Sequence, residues 1–137
     1  MSDRAFADTN VLLYAFDTSD DAKHDRAKAL LADESRILVI SAQVIGEFYV
    51  VATRKLAEPM EPEAAADAVR RFRRMPVVMI DGELTESAIA TSRDARISYW
   101  DALIVEAAAV SGCDVLLSED LNAGQTISGV RIENPFL

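Results

Sequence analysis

Residues 37–54, with the sequence ILVISAQVIGEFYVVATR, decide the fold class of this chain. The segment opens with an unbroken apolar run at 37–40, which is typical of a strand buried on both faces. Ser41 is a suitable N-cap for the helix that follows, which we expect to extend to about Arg54. A strand that passes directly into a helix is characteristic of parallel sheets, because parallel strands need a crossover connection. The stretch therefore predicts one unit of an α/β fold.

The same alternation of strands and helices continues on both sides of this unit. Thr9 is a suitable N-cap, Pro62 suits the first turn of a helix, and Gly112 suits a helix end. Alternation of this kind predicts an α/β fold with a central parallel β-sheet of four to five strands flanked by helices. A length of 137 residues fits a single domain, 1–137. The remaining predicted strands are 5–8, 76–80, 115–117 and 130–132, and the remaining helices are 10–16, 22–33, 62–74, 84–96 and 99–111.

Four acidic residues lie in or beside apolar runs: Asp8, Glu47, Asp101 and Asp120. Asp8 and Asp120 follow predicted strands, and Glu47 lies on the helix that leaves the second strand. These three acids therefore map to the carboxyl edge of the sheet, where ligands bind in such folds. Glu47 and Asp101 also share the apolar faces of their helices. Each acid alone has an ordinary explanation, such as the favourable helix dipole at Asp101, but the set favours one common site.

Carboxylates in apolar surroundings need compensation, since an unpaired buried charge costs several kcal/mol or more. No matching number of Lys or Arg accompanies the four acids, so a divalent cation is the natural partner. Oxygen ligands without histidine or cysteine favour Mg²⁺ or Mn²⁺ over zinc. Such an ion activates water and stabilises a leaving oxygen, which points to phosphodiester hydrolysis.

Other chemistries lack the residues that they require. The only histidine, His24, lies in a polar segment where we expect it at the surface, which disfavours a Ser-His-Asp triad or a histidine-rich zinc site. The sequence contains no GxxxxGK[ST] or GxGxxG loop for nucleotide phosphates. Phosphoaspartate domains generally use a lysine in the later half of the fold, and this chain has none beyond Lys55.

Composition indicates more about the location and partners of the protein than about its activity. The net charge of -9 is unusual for a nucleic-acid binder, although acids that share a metal site or a basic polypeptide partner both accommodate it. The single cysteine, Cys113, fits a reducing cytoplasm. No apolar run reaches the length of a membrane span, and residues 1–4 do not resemble a signal peptide. We therefore expect a cytoplasmic protein with no membrane association.

Four segments in order resemble the PIN-domain ribonucleases and, more narrowly, the VapC toxins of type II toxin–antitoxin pairs. This resemblance implies a Mg²⁺- or Mn²⁺-dependent endoribonuclease that acts as a toxin on RNA, forms a homodimer and is neutralised by a cognate antitoxin. The alternatives are a PIN nuclease without an antitoxin and a PIN-like binding module without catalysis. The segments are Asp8-Thr9-Asn10, Glu47, Ser98-Tyr99-Trp100-Asp101-Ala102-Leu103-Ile104 and Leu117-Ser118-Glu119-Asp120-Leu121.

The resemblance also implies roles for individual residues. Asp8 and Asp101 would be the principal metal ligands of the catalytic site, and Glu47 and Asp120 would complete it, some through water. Three polar residues would support these ligands or orient the substrate: Thr9, Asn10 and Ser118. Helix capping by Thr9 and turn formation by Ser118 remain alternatives. Ser118 also departs slightly from the family pattern, in which threonine is frequent.

Two surfaces are candidates for partner contacts. Arg93 and Arg96 precede the Asp101 helix and are candidates for guiding RNA, whereas the run of arginines at 70–74 fits either a solvated helix face or phosphate binding. The helix at 10–16 carries more apolar side chains than one core face needs, among them Leu12, Leu13, Tyr14 and Phe16. Such an excess marks an interface with a second copy or an antitoxin, and ordinary core packing is the alternative.

Overall fold

The computed structural model describes residues 3–137; Met1 and Ser2, which contributed to the expectation of no signal peptide, lie outside the described residues. The described part contains six strands: β1 (Arg4–Ala7), β2 (Ile37–Ser41), β3 (Val77–Val78), β4 (Val115–Leu117), β5 (Thr126–Ile127) and β6 (Val130–Glu133). It also contains six helices: α1 (Thr9–Tyr14), α2 (Asp21–Ala32), α3 (Ala42–Arg54), α4 (Pro62–Phe72), α5 (Gly82–Ala95) and α6 (Tyr99–Val110).

The strands form one sheet in the order β3-β2-β1-β4-β6-β5. All pairings are parallel except that between β5 and β6. The chain moves outward from β1 to β2 and β3, and then crosses back to place β4 on the other side of β1. Right-handed crossovers put the connecting helices of the two directions on opposite faces of the sheet. The boundary between β1 and β4 is thus the switch point, where α/β sheets open a crevice beyond the carboxyl ends of their strands.

The central strands are buried on both faces, as their unbroken apolar sequences predicted. Ala5, Phe6 and Ala7 of β1 are buried, as are 38–41 of β2 and 115–117 of β4. Helices cover the sheet and leave none of these side chains facing water. The α/β fold with a mostly parallel central sheet is therefore confirmed.

The sheet exceeds the predicted four to five strands at one edge. Ser128 and Gly129 have φ angles of 52° and 78°, and they join β5 to β6 as a two-residue hairpin, a turn that requires positive φ. The strand β5 lies in a mainly polar stretch of sequence, so no apolar run indicated it. At the other edge β3 is shorter than the predicted 76–80, and Met79 beyond it is 73% exposed.

The first helix differs from its prediction in its first residue, in its N-cap residue and in the number of apolar side chains that it exposes. It begins at Thr9, so Asp8 is the N-cap residue, and the prediction of Thr9 as the cap was wrong. The apolar excess is also smaller than expected, because Leu12 and Leu13 are buried and Phe16 packs against Phe48, with ring centroids 5.6 Å apart. The chain leaves the helix after residue 14, which lets Phe16 turn toward the core. These side chains mainly serve the core rather than an interface.

No helix within residues 3–137 is long and apolar enough to cross a membrane.

Phe48 on α3 joins the aromatic cluster that packs this helix on its neighbours. It is fully buried, and its ring lies 5.0 Å from that of Phe72. We predict that Phe48→Ala lowers the free energy of unfolding by about 3–5 kcal/mol, because it leaves a cavity in the core. Urea denaturation measures the loss. Tyr49→Ala is the matched control, since Tyr49 is exposed on the same helix; equal losses for the two variants would contradict this packing.

Candidate functional site

A pocket of about 260 Å³ at the carboxyl edge of the sheet brings the four acids together. Asp8 enters it from the end of β1, Glu47 from α3, Asp101 from the first turn of α6, and Asp120 from the loop after β4. The pocket lies at the switch point between β1 and β4. The acids are far apart in the sequence, and the strand order is what assembles them. Thr9 and Asn10 also line the pocket.

Asp8 is the centre of the site and is only 7% exposed. Its backbone N–H donates to the Leu117 carbonyl at 3.0 Å, which continues the β1–β4 ladder by one residue. The Thr9 backbone N–H donates to Oδ1 at 2.7 Å, and the Ser118 hydroxyl donates to Oδ2 at 2.8 Å. Ser118 is itself fully buried and accepts a bond from the Asp120 N–H at 3.2 Å. Two strand ends are therefore joined through one carboxylate.

The other acids are oriented by neutral polar side chains. The Thr9 hydroxyl donates to Glu47 Oε2 at 2.8 Å, and Gln43, one turn earlier on α3, donates to Oε1 at 2.9 Å. Asn10 donates its side-chain N–H to Asp120 Oδ2 at 3.1 Å. The Thr9 hydroxyl, predicted as a helix cap, thus holds an acid instead.

Asp101 is held through its backbone. Its N–H donates to the Ser98 hydroxyl at 3.0 Å, which caps α6. Among residues 3–137 none donates a hydrogen bond to the Asp101 carboxylate, which leaves its oxygens available to a ligand in the pocket.

Burial and neighbouring negative charges raise the pKa of two of the acids, Asp8 and Asp120. Burial is the main cause that raises the pKa of Asp8 to about 6; the bonds from Ser118 and Thr9 oppose the rise, and the charges of Asp120 and Glu47 add to it. The pKa of Asp120 is also raised, first by burial and then by Glu119, while the Asn10 bond lowers it. No Lys, Arg or His is among the described residues that line the pocket. The site is thus electrostatically suited to a cation.

The donor set fits a hard divalent cation that keeps part of its water shell. Within 3–137 no group of three or more His, Cys, Asp or Glu side chains is arranged to hold a metal directly. Magnesium typically binds through one or two carboxylates and several waters, so a full protein cage is not required. Asp8 and Asp101 could serve as direct ligands. Each carboxylate oxygen of Asp8 retains a lone pair beyond its one hydrogen bond, and no described residue donates to the Asp101 carboxylate.

The predicted RNA-contacting residues lie outside the pocket. Arg93 is exposed in the last turn of α5, and Arg96 is the exposed residue that ends this helix, with a φ of 56°. The arginines at 70–74 are exposed on one face of α4 and beyond it, as a solvated face requires. His24 is half-buried rather than fully at the surface, and its Nδ1 lies 2.7 Å from the Tyr14 carbonyl, away from the four acids.

Besides three apolar lining residues, the pocket contains two residues with functional side chains that the sequence did not indicate as site residues. Gln43 orients Glu47, and its position four residues earlier on one helix was a usable signal. Trp100 lines the pocket with 62% of its surface exposed, which is unusual for tryptophan. Its aromatic face is available to stack on a base or to contact a protein.

Fold and site together define an α/β protein with an acidic pocket at the switch point of a parallel sheet. The PIN domain family model matches residues 5–126, and the chain belongs to this family. A comparison with curated proteins found no match.

Solved structures share the fold at low sequence identity. The sarcin-ricin loop cleaving toxin VapC20 from Mycobacterium tuberculosis is 22% identical, with a TM-score of 0.66 over 85% of this chain and 89% of that one. DNA-bound VapBC from Salmonella typhimurium is 23% identical, with a TM-score of 0.67 over 98% of this chain and 99% of that one. FitAB bound to a DNA fragment is 15% identical, with a TM-score of 0.69 over 97% of this chain and 96% of that one.

The raised pKa of Asp8 predicts a pH-dependent stability in the metal-free protein. Folding favours the protonated form, so this group destabilises the fold progressively as pH rises from about 4 to about 6, and the loss is complete above that range. A change from 3.8 to about 6 corresponds to about 3 kcal/mol. We predict that Asp8→Asn raises the free energy of unfolding at pH 7.5 by about 1–3 kcal/mol and much less at pH 4.

Urea unfolding in EDTA at the two pH values measures this difference. Asp33→Asn is the control of opposite sign, because hydrogen bonds from Ser35 lower the pKa of this exposed aspartate and its removal brings no gain at pH 7.5. An Asp8→Asn variant that is no more stable than wild type at pH 7.5 would contradict the burial of an ionised carboxylate at this position.

Proposed function

We propose that this protein is a Mg²⁺- or Mn²⁺-dependent endoribonuclease and the toxin of a type II toxin–antitoxin pair. The observation that carries the proposal is the convergence of four carboxylates in one pocket that no Lys, Arg or His lines within residues 3–137. Uncompensated carboxylates of this kind attract a hard divalent cation, and the reaction that such a cation most directly supports is phosphodiester hydrolysis.

In the proposed site the acidic residues would bind the cation, and neutral polar residues orient the acids. A bound divalent cation would lower the pKa of water and stabilise the developing charge on the phosphate. Asp8 and Asp101 would hold the ion, and Glu47 and Asp120 would contact it directly or through water. Ser118 and the Thr9 backbone hold Asp8, whereas the Thr9 hydroxyl and Gln43 orient Glu47, and Asn10 orients Asp120. Partners of this kind restrict the ligand geometry before the ion arrives.

The identity of substrate and partner is proposed from the family and its structural relatives. One similar structure is a toxin that cleaves the sarcin-ricin loop, and others are toxin–antitoxin complexes. We infer an RNA substrate, a cognate antitoxin, a homodimer and a cytoplasmic location for this chain. Exposed Arg93 and Arg96 remain candidates for guiding RNA toward the pocket, and exposed Trp100 at its rim is a further candidate.

Cleavage of structured RNA by the purified protein tests the enzyme directly. We predict cleavage in Mn²⁺ or Mg²⁺, none in EDTA, and a loss of at least about 100-fold for Asp8→Asn or Asp101→Asn, because each replaces a charged metal ligand by a neutral amide. Rates are measured on end-labelled RNA under single-turnover conditions.

The control for this assay is Asp33→Asn, which replaces an acidic residue outside the pocket. We expect this variant to keep full activity. Cleavage that persists in EDTA and in Asp8→Asn would show a contaminating nuclease and would contradict the proposal. Binding of Mn²⁺ without cleavage of any RNA would favour the non-catalytic binding module.

A toxin differs from a stand-alone nuclease in its effect on the cell. We predict that induced expression of the wild-type chain arrests bacterial growth, that Asp8→Asn does not, and that a small protein encoded beside it restores growth and copurifies with the chain. Growth curves and size-exclusion chromatography of the coexpressed pair provide the measurements. Unimpaired growth with an active purified enzyme would favour a nuclease that has no antitoxin.

A further inference from the structure

Two neighbouring acids in the loop after β4 are held by one face of α1. The Asn10 side chain donates to Asp120, and the Tyr14 hydroxyl donates to Glu119 Oε1. Asn10 and Tyr14 are four residues apart, so they project from the same side of the helix. Consecutive turns of α1 thus bind consecutive residues of the loop, and each of the two acids accepts a hydrogen bond from a different side chain of the helix.

Glu119 is also held by the second helix. Lys23 on α2 donates to Glu119 Oε2 at 3.0 Å and lies 3.3 Å from the Tyr14 hydroxyl, with its amine 5.0 Å from the centre of the Tyr14 ring. The side chains of Lys23 and Glu119 are 34% and 19% exposed, so the ion pair is partly shielded from water. Both oxygens of Glu119 therefore have partners, and its charge is offset by that of Lys23.

Glu119 is oriented away from the acidic pocket. The pocket is lined by Asp120 but not by Glu119, although the two residues are adjacent. The Tyr14 ring that holds Glu119 is itself fixed by an edge contact with Phe136, at 4.9 Å between centroids. Burial and the bond to Glu119 raise the pKa of Tyr14, and its hydroxyl is a neutral donor to Glu119. The arrangement keeps one acid of the pair at the pocket and the other outside it.

The loop has few other attachments near Asp120. Residues 118–125 form neither helix nor strand, and the Asp120 N–H donates to the Ser118 hydroxyl at 3.2 Å. Backbone bonds to β6 hold the two ends of the loop, at Ser118 and at Gly124 and Gln125. The part between these ends relies mainly on side-chain contacts for its conformation. The bonds to Glu119 connect it to two helices at once.

We propose that Tyr14 and Lys23 are positioning residues, which hold Glu119 so that Asp120 faces the acidic pocket. This role rests on the proposed function, because it matters only if Asp120 helps to bind a divalent cation. Neither residue touches the pocket, so both act through the loop. Tyr14 supplies a neutral donor, and Lys23 supplies the charge that offsets that of Glu119 outside the site.

Calorimetric titration with Mn²⁺ compares the wild type with the double variant Tyr14→Phe/Lys23→Met. We expect roughly 10-fold weaker Mn²⁺ binding in the variant, as is typical when a residue that orients a metal ligand is removed. The variant also carries one positive charge fewer beside the site, which by simple electrostatics would strengthen cation binding. Weaker binding would therefore report lost positioning rather than lost charge.

The effect should depend on Glu119. In a Glu119→Ala background we expect the double substitution to cause no further loss of Mn²⁺ affinity, because the group that it holds is absent. Lys23→Arg keeps a cation and should retain most of the affinity. Arg26→Met is the matched control on α2, since Arg26 donates to the Pro135 carbonyl at 3.1 Å and does not touch the loop; its affinity should equal that of wild type.

Amide hydrogen exchange of residues 119–121 in the metal-free protein gives a readout without metal or catalysis. We expect faster exchange in the double variant and unchanged exchange in Arg26→Met. Unchanged exchange in the double variant, or unchanged Mn²⁺ affinity beside a wild type that binds the ion, would overturn the positioning role alone. A wild type that binds no Mn²⁺ would overturn the proposed function and, with it, the role of the loop.

Discussion

The structure is organised around a carboxylate buried at the point where the sheet changes direction. Asp8 ends β1, continues its ladder to β4 and starts α1, so three elements meet at one residue. Burying an ionised group there is costly, and the raised pKa of Asp8 reflects that cost. Only neutral donors compensate it, namely the Thr9 N–H and the Ser118 hydroxyl. A nearby Arg would have favoured the ionised carboxylate directly, but it would have cancelled the negative potential of the pocket.

The residues that bind Asp8 also bind two of the other acids, and this fixes their positions relative to one another. Thr9 holds Asp8 with its backbone and Glu47 with its hydroxyl, and Ser118 holds Asp8 while accepting a bond from the Asp120 backbone. The acids are therefore coupled through shared donors rather than placed independently. A hydrogen-bond network in a shielded site is stronger as a unit than its separate bonds suggest. A substitution at Thr9 or Ser118 thus disturbs two acids together.

The sequence predicts the features that follow from continuous apolar runs and from strand ends. The parallel strands predicted at 37–40 and 115–117 and the convergence of Asp8, Glu47 and Asp120 belong to this group, because the carboxyl ends of parallel strands share an edge. Features decided by local geometry were not predictable in this way. A shift of the helix start by one residue decides whether Asp8 or Thr9 caps α1. The hydrogen-bond partner of the Thr9 hydroxyl depends on the position of α3, which is distant in the sequence. The strand β5 was not predicted because it lacks the apolar run that indicated β3.

The charge of the pocket also bears on how RNA would reach it under the proposed function. At physiological ionic strength the Debye length is about 8 Å, so acids on remote surfaces contribute little to the force on an approaching phosphate. The overall charge of -9 is thus a weaker objection than the local charge. The four acids line the pocket that a phosphate would enter, and repulsion from them would oppose its entry into the bare site. A divalent cation would therefore be needed for the phosphate to enter the pocket as well as for its hydrolysis. The described pocket lining contains no Lys or Arg, so no side chain there could replace the bound ion in attracting the phosphate.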